Sequence, residues 1–169
     1  RSTADHLRPS LEDSGAHLLI DELGLRPGHP ALLARMPEDG PFVLGLPGNP
    51  LAAMTTLMLL GAPLLAGLGG NVIPPLTTVR LTRELPASKT DRLAPGLAFV
   101  AGAAVSGTTI TDLSEDADAQ GTELPSAVAL SRAGSDQLRG FSQANVLLLI
   151  PADGVRPGEP VQALPLPWL

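Results

Sequence analysis

Short apolar runs alternate with turn residues over residues 1–70, and this pattern predicts a mixed α/β fold. An amphipathic helix is predicted over 4–14, where Leu7 and Leu11 lie four residues apart and Gly15 ends the pattern. Short strands separated by Pro-Gly and Asp-Gly turns are predicted at 17–25, 31–36 and 42–46. The apolar segment 51–68 then predicts a helix that is buried on a sheet.

After Pro74-Pro75 the pattern changes to short strands divided by turn residues. Strands are predicted at 77–85, 97–105, 108–113, 127–130, 146–150 and 160–164. The acidic segment 114–121 lacks the ligand spacing of a calcium loop and is interpreted as a solvated hairpin connection. The second half of the chain is therefore predicted to be mostly β.

The composition predicts a globular protein, because 44% of its 169 residues are hydrophobic. The chain has no cysteine, which excludes disulfides, thiolate metal sites and cysteine nucleophiles and favours a cytoplasmic location. Its net charge of −6 argues against general nucleic-acid binding, which needs clustered Lys and Arg. No targeting segment is recognised, and the first residue, Arg1, indicates a piece of a longer protein.

The segment 40–79 carries no charged residue, and its helical part approaches the length of a membrane span. Pro63, several glycines and the polar Thr55 and Thr56 interrupt it, and no aromatic or basic anchors flank it. A buried helix is therefore preferred to a membrane span.

The stretch "LGLPGNPLAA" predicts a helix start directly after a strand. Asn49 is a favoured N-cap and Pro50 a favoured first helical residue, while Gly48 is expected to let the chain turn sharply. The N–H groups of a first helical turn favour an anion, so an oxyanion or a phosphate is the expected ligand. The alternative is a capped strand-to-helix turn with no ligand.

The stretch "RPGHP" places two cationic side chains, Arg26 and His29, three residues apart on a proline-stiffened turn. Alone, such a turn is typical of a solvated corner. Beside a helix start that favours anions, it indicates a binding site for a negatively charged group.

Together the two motifs resemble the molybdopterin molybdenumtransferase family, whose domain also occurs in the eukaryotic scaffold gephyrin. "RPGHP" and then "GLPGNP" before an apolar helix ending in "LGG" are similar to family patterns close to K-P-G-K-P and G-L-P-G-N-P-V-S. The resemblance extends to residues 2–6, to Gly134-Ser135-Asp136 and to "FSQANVLLLIPADGVRPGEPVQALPLP". It covers the chain as the family's C-terminal half. It implies a partial molybdopterin-binding-type α/β domain over 1–72, followed by a small all-β, barrel-like domain over 73–169.

The resemblance also implies a function, the insertion of molybdate into adenylylated molybdopterin with Mg²⁺, by a cytoplasmic homodimer with no nucleic-acid or membrane partner. Asp5 would be the catalytic carboxylate and a ligand of Mg²⁺. The residues expected to bind molybdate are Arg26, His29, Pro30, Arg92 and Ser135. Those expected at the pterin or its phosphate are Pro47, Gly48, Asn49 and Pro50.

Three positions depart from the family patterns. Arg26 and His29 stand in place of two lysines, and Ala52 stands in place of a hydroxyl-bearing residue. A histidine is only partly charged near neutral pH, so the departures leave a second interpretation open: a non-catalytic relative that binds a molybdopterin-like ligand or a protein partner. A third interpretation, a plain interaction module, rests on the acidic composition and the proline-rich end of the chain.

Overall fold

The structure, a computed structural model, describes residues 6–73, 75–100, 103–104, 123–130 and 137–167. The chain divides into two compact units, residues 1–72 and 73–169. The predicted strand at 108–113 and the acidic connection 114–121 lie outside the described residues, as do Asp5 and Ser135.

The first unit combines a small antiparallel sheet with helices. Its elements up to the sheet are α1 (Leu7–Asp13), β1 (His17–Ile20), β2 (Leu32–Arg35) and β3 (Phe42–Gly45). The strands lie in the order β1-β2-β3, with Leu33 opposite Leu44 in the second pair. Leu11 of α1 packs with Leu32 and Ala34 of β2, and this cluster forms a core of the unit.

A helix of 19 residues follows β3 and contains one irregular turn. It consists of α2 (Pro50–Thr56), a π-helical turn (Leu57–Gly61) and α3 (Ala62–Leu68). The N–H of Ala62 bonds to the carbonyl of Leu57, five residues back, so the turn holds one residue more than an α-helix would. Gly61 lies at this turn, and a β-carbon there would be 2.7 Å from the Leu57 side chain and 3.2 Å from that of Leu44.

The prediction of a buried helix holds only for the N-terminal part of this segment. Leu51, Ala52, Thr55 and Thr56 of α2 are buried, whereas Leu65 and Leu68 of α3 are 66% and 62% exposed. By length and composition alone this is the one helix in the described residues that could cross a membrane, and 28% of it is buried. Pro63, the glycines and the two buried threonines within the segment argue against a membrane span.

The second unit contains a closed five-stranded β-barrel. Its elements are β4 (Thr77–Leu81), β5 (Arg92–Val100), β6 (Ala103–Ala104), β7 (Ser126–Ala129), α4 (Gln137–Ser142), β8 (Val146–Ile150) and β9 (Pro160–Pro165). The strands follow the order β5-β7-β4-β9-β8, and β8 pairs back onto β5, which closes the barrel; β6 extends β5 as a short hairpin. The barrel is confirmed, and α4 shows that the unit is not purely β.

Closure depends on β5, which begins five residues earlier than predicted. Its residues 92–96 pair with β8 and its residues 96–99 with β7, so both partners meet at Gly96. A β-carbon on Gly96 would be 2.7 Å from the side chain of Leu148, which requires a glycine where the strands come this close. The core inside the barrel consists of alternating strand residues, including Val79, Leu81, Val146 and Leu148.

A buried asparagine links β5 to the segment before β8. The side chain of Asn145, 1% exposed, accepts a hydrogen bond from the Ala98 N–H (2.7 Å) and donates one to the Ala98 carbonyl (2.8 Å). The amide thus pairs with the backbone of β5 as a neighbouring strand would.

Candidate anion-binding site

The predicted helix start at Asn49 is confirmed. The Asn49 backbone is extended, and its side-chain Oδ1 accepts a hydrogen bond from the Ala52 N–H at 3.0 Å. Its carbonyl accepts a second one from the Ala53 N–H at 2.8 Å, and Pro50 occupies the first helical position. We call residues 47–50 the helix-start loop.

The capping reduces the number of N–H groups that the helix-start loop presents to an anion. Pro50 has no N–H, and the N–H groups of Ala52 and Ala53 are bound to Asn49, so the first turn presents fewer donors than the sequence predicts. The helix dipole remains, and it favours negative charge within the first turn. Anion binding at the loop therefore depends on additional cations.

Gly48 is exposed, and its surroundings are open. A β-carbon there would meet no described atom within 4 Å, and its φ does not lie in the left-handed region. The turn at Gly48 therefore does not use the left-handed backbone that glycine adopts more readily than other residues. The open space beside the backbone instead leaves room for a ligand, while the neighbouring Pro47 is buried.

Residues 26–30, which we call the cation turn, connect β1 to β2. Arg26, His29 and Pro30 are exposed, and the N–H of Ala31 donates to the carbonyl of Gly28 at 2.9 Å. The Arg26-Pro27 peptide bond is cis. The Arg26 guanidinium forms no ion pair with any residue of the described segments, so it remains available to an external anion.

The cation turn packs against the helix that the helix-start loop begins. Gly28 is buried with a φ of +125°, and a β-carbon on it would be 3.3 Å from Oγ1 of Thr56. Thr56 is completely buried, and within the described segments its hydroxyl has no hydrogen-bond partner. Thr56 lies one helical turn beyond Ala52 and on the same face, so this face of α2 is turned toward the cation turn.

His29 is held by its own loop. Its Nδ1–H donates to the Leu23 carbonyl at 2.9 Å, and the Leu23 N–H donates to the His29 carbonyl at 3.1 Å. Its Nε2 lies 3.7 Å from Oε2 of Glu22. Unlike Arg26, His29 already has a carboxylate beside it.

The other predicted site residues, Asp5, Arg92 and Ser135, lie outside the described part of the first unit. Arg92 belongs to the second unit, where it begins β5 and its guanidinium donates to the carbonyl of Pro86. Asp5 and Ser135 lie outside the described residues. Among the described residues there is no group of three His, Asp or Glu side chains that could hold a metal ion.

Two further residues of the site were missed from the sequence, namely Glu22 and Thr56. Glu22 lies four residues before Arg26, and in a loop this spacing does not predict which side chains will be neighbours. The position of Thr56 could have been predicted, because it follows Ala52 by four residues in a predicted helix and therefore lies on the same helix face.

The same pentapeptide pattern, Arg-Pro-Gly-X-Pro, occurs again at 156–160 in the second unit. There Glu159 Oε2 accepts a hydrogen bond from the Arg156 N–H at 2.8 Å, and Gly158 has a φ of +87°. The N–H of Gly158 donates to the Leu81 carbonyl, and the carbonyl of Gly158 accepts a hydrogen bond from the Arg80 guanidinium. This second turn connects barrel segments and supplies a control for the first.

Solved structures of molybdopterin biosynthesis proteins are similar to the fold of this chain. The matching structures include two of the MoeA protein from Pyrococcus horikoshii. One has a TM-score of 0.63 and 22% identity, over 95% of this chain and 34% of that chain. The other has a TM-score of 0.57 and 19% identity, over 88% of this chain and 32% of that chain.

The similarity to MoeA confirms the resemblance that the motifs indicate, and at this level of identity it establishes the fold. This chain spans about a third of the length of the structures it matches. No protein-family model and no curated protein matches the sequence.

Proposed function

We propose that this chain is part of a molybdopterin molybdenumtransferase, which inserts molybdate into adenylylated molybdopterin during molybdenum cofactor biosynthesis. The proposal rests chiefly on the contact between Gly28 of the cation turn and Thr56 of the helix that begins at Asn49 and Pro50. Through this contact, the turn of the first motif packs on the helix that the second motif begins.

Arg26 is the principal anion ligand in this proposal. Its planar guanidinium can donate two parallel hydrogen bonds to an oxyanion, and no described carboxylate competes for it. His29 adds a second cation when it is protonated. The open space beside Gly48 and the dipole of the following helix favour a phosphate of the pterin substrate.

Mg²⁺ is the metal that the resemblance implies. The described residues provide no cluster that could hold it, and Asp5 lies outside them, so no step of the proposed reaction is assigned to the metal. Asp5, Arg92 and Ser135 stay predictions from the resemblance. What the described residues contribute is the binding and orientation of the anionic substrates, which lowers the barrier of a two-substrate reaction.

A non-catalytic relative that binds a molybdopterin-like ligand is the second candidate. Ala52 favours it, because the family patterns have a hydroxyl donor at that position. Both candidates require an anion site at the cation turn. They differ in turnover, which the complete protein would show with adenylylated molybdopterin and molybdate as substrates.

For both candidate functions we propose a cytoplasmic homodimer. Sedimentation of the complete protein as a monomer at micromolar concentration would contradict that assembly.

The binding part of the proposal is tested by calorimetric titration of the chain with molybdate. Arg26→Ala should weaken binding by about 1.5–3 kcal/mol, or roughly ten- to a hundred-fold, because a charged hydrogen-bonding partner is lost. Arg156→Ala is the matched control, since it removes the same side chain from the same pentapeptide pattern in the second unit, and it should bind like the unmodified chain. Equal binding by all three proteins, or none by the unmodified chain, would contradict the proposed function.

A further inference from the structure

The pairing of Glu22 with His29 has no counterpart at Arg26. The Glu22 carboxylate lies 3.7 Å from Nε2 of His29, whereas Arg26, three residues before His29, forms no ion pair within the described segments. The two cations of the turn are therefore unequal. One faces solvent without a counter-charge, and the other faces an anion supplied by the chain itself.

The backbone of the loop enforces this pairing. Leu23 and His29 exchange two hydrogen bonds, from the Leu23 N–H to the His29 carbonyl and from the His29 Nδ1–H to the Leu23 carbonyl. Because Leu23 is fixed to His29 in this way, the adjacent Glu22 is placed beside the imidazole. The second nitrogen, Nε2, is left pointing to the side on which the carboxylate lies.

We propose that the Glu22 carboxylate competes for His29 with the oxyanion that binds at the cation turn. This inference rests on the proposed function and specifies how the same site is regulated. The Glu22 carboxylate lies beside Nε2 of His29, and an incoming oxyanion binds this nitrogen only when the pair separates. Arg26 makes the first contact with the anion, and Glu22 limits the contribution of His29.

The expected size of the effect follows from the exposure of the pair. The side chains of His29 and Glu22 are 54% and 37% exposed, so water screens their attraction and an anion has access to both. Exposed ion pairs are weak, and replacing the carboxylate should therefore tighten anion binding by about two- to five-fold. Removing the negative charge also ends its direct repulsion of the anion, which acts in the same direction.

The test is a double-mutant cycle on the chain, with molybdate affinity measured by calorimetry at about pH 6, a range in which imidazoles carry a proton. The proteins compared are the unmodified chain, Glu22→Gln, His29→Ala and the double variant. Glu38→Gln is the matched control for the change in net charge, because Glu38 lies in the turn after β2, at the far end of that strand from the cation turn. Far-ultraviolet circular dichroism and urea unfolding verify that each variant is folded.

Glu22→Gln is expected to bind molybdate about two- to five-fold more tightly than the unmodified chain, and Glu38→Gln to bind it equally. In the His29→Ala background the Glu22 substitution should tighten binding less than it does in the unmodified chain, because only the direct repulsion between the carboxylate and the anion is then removed. If Glu22→Gln does not tighten binding, or tightens it equally with and without His29, the inference is overturned.

Arg26→Ala separates this failure from failure of the proposed function. If Arg26→Ala weakens binding while Glu22→Gln leaves it unchanged, the anion site stands and Glu22 is no competitor. If neither the unmodified chain nor Glu22→Gln binds molybdate, both the site and the competitor are refuted.

Discussion

A β-carbon placed on Gly28 would stand 3.3 Å from the hydroxyl oxygen of Thr56. This distance is shorter than most contacts that β-carbons make in folded proteins, and Thr56 is completely buried. The cation turn therefore lies close enough to α2 that a side chain at position 28 would press on Thr56. This contact is one of those that fix the turn carrying Arg26 and His29 against the helix.

Substitution of Gly28 should disturb both stability and binding. Gly28→Ala introduces a side chain at a φ of +125° and against the Thr56 hydroxyl, so we expect the free energy of unfolding to fall by about 1–3 kcal/mol. Molybdate binding should weaken as well, because the cation turn is displaced from the helix. Urea unfolding and calorimetry measure the two effects.

Gly24→Ala is the control for this substitution. Gly24 lies in the same loop without a positive φ, and a β-carbon there would meet no described atom within 4 Å. Its replacement should change the free energy of unfolding by less than about 1 kcal/mol. Similar losses at positions 24 and 28 would show that the close contact with Thr56 is unimportant.

Asn49 separates the folding role of the helix-start loop from its binding role. Aspartate caps a helix as well as asparagine does, and its charge also suits the helix dipole, so Asn49→Asp should keep or slightly raise the free energy of unfolding. The same charge repels an oxyanion and should weaken molybdate binding several-fold. Thermal unfolding and calorimetry on one preparation give both values.

Asn49→Ala completes this comparison. It removes the hydrogen bond from the Ala52 N–H and should lower the free energy of unfolding by about 1 kcal/mol, without adding a charge. If Asn49→Asp binds molybdate as well as the unmodified chain does, the helix-start loop serves folding alone and the anion lies elsewhere.

The paired hydrogen bonds of Asn145 should be essential to the barrel. Asn145→Ala leaves the buried N–H and carbonyl of Ala98 without these partners, and the free energy of unfolding should fall by about 2–4 kcal/mol. Gln143→Ala, at an exposed position two residues earlier, should change it by less than about 0.5 kcal/mol. Equal stability of the two variants in urea would refute this role of the amide.

The unequal burial of the long helix predicts unequal effects of the same substitution. Leu51 is 7% exposed, and Leu51→Ala should lower the free energy of unfolding by about 2–5 kcal/mol. Leu65 is 66% exposed, and Leu65→Ala should change it by no more than about 0.5 kcal/mol in this chain. A large loss at Leu65 would mean that a surface covers α3 in solution, for example a second copy of the chain.

The sequence predicted elements whose signals are local. The helix start at Asn49 follows from capping chemistry, and β8 was predicted with its observed bounds because an unbroken apolar run lies between turn residues. The beginning of β5 was missed because Pro95-Gly96 is typical of a turn. In the barrel that glycine instead permits close contact with Leu148 on the paired strand, and only the three-dimensional structure shows this need.

The candidate site was predictable to a similar extent. Arg26 and His29 were found from their chemistry and from the resemblance, but the pairing of His29 with Glu22 depends on how one loop closes. The exposure of α3 could not be predicted from the sequence for a related reason. An apolar sequence shows that a surface favours burial, whereas its exposure depends on which segments lie against it.

The second Arg-Pro-Gly-X-Pro turn bears on how motifs of this length are used to find sites. At 156–160 the fourth residue is a glutamate that bonds to the backbone of its own turn, and a neighbouring strand supplies the arginine that fixes the glycine carbonyl. A genome search for the pentapeptide would return this chain twice, with one match in a hairpin of the barrel. Requiring a buried helical threonine within contact of the glycine would retain the turn at 26–30, so a pattern that combines sequence with one packing distance is the more selective probe for such sites.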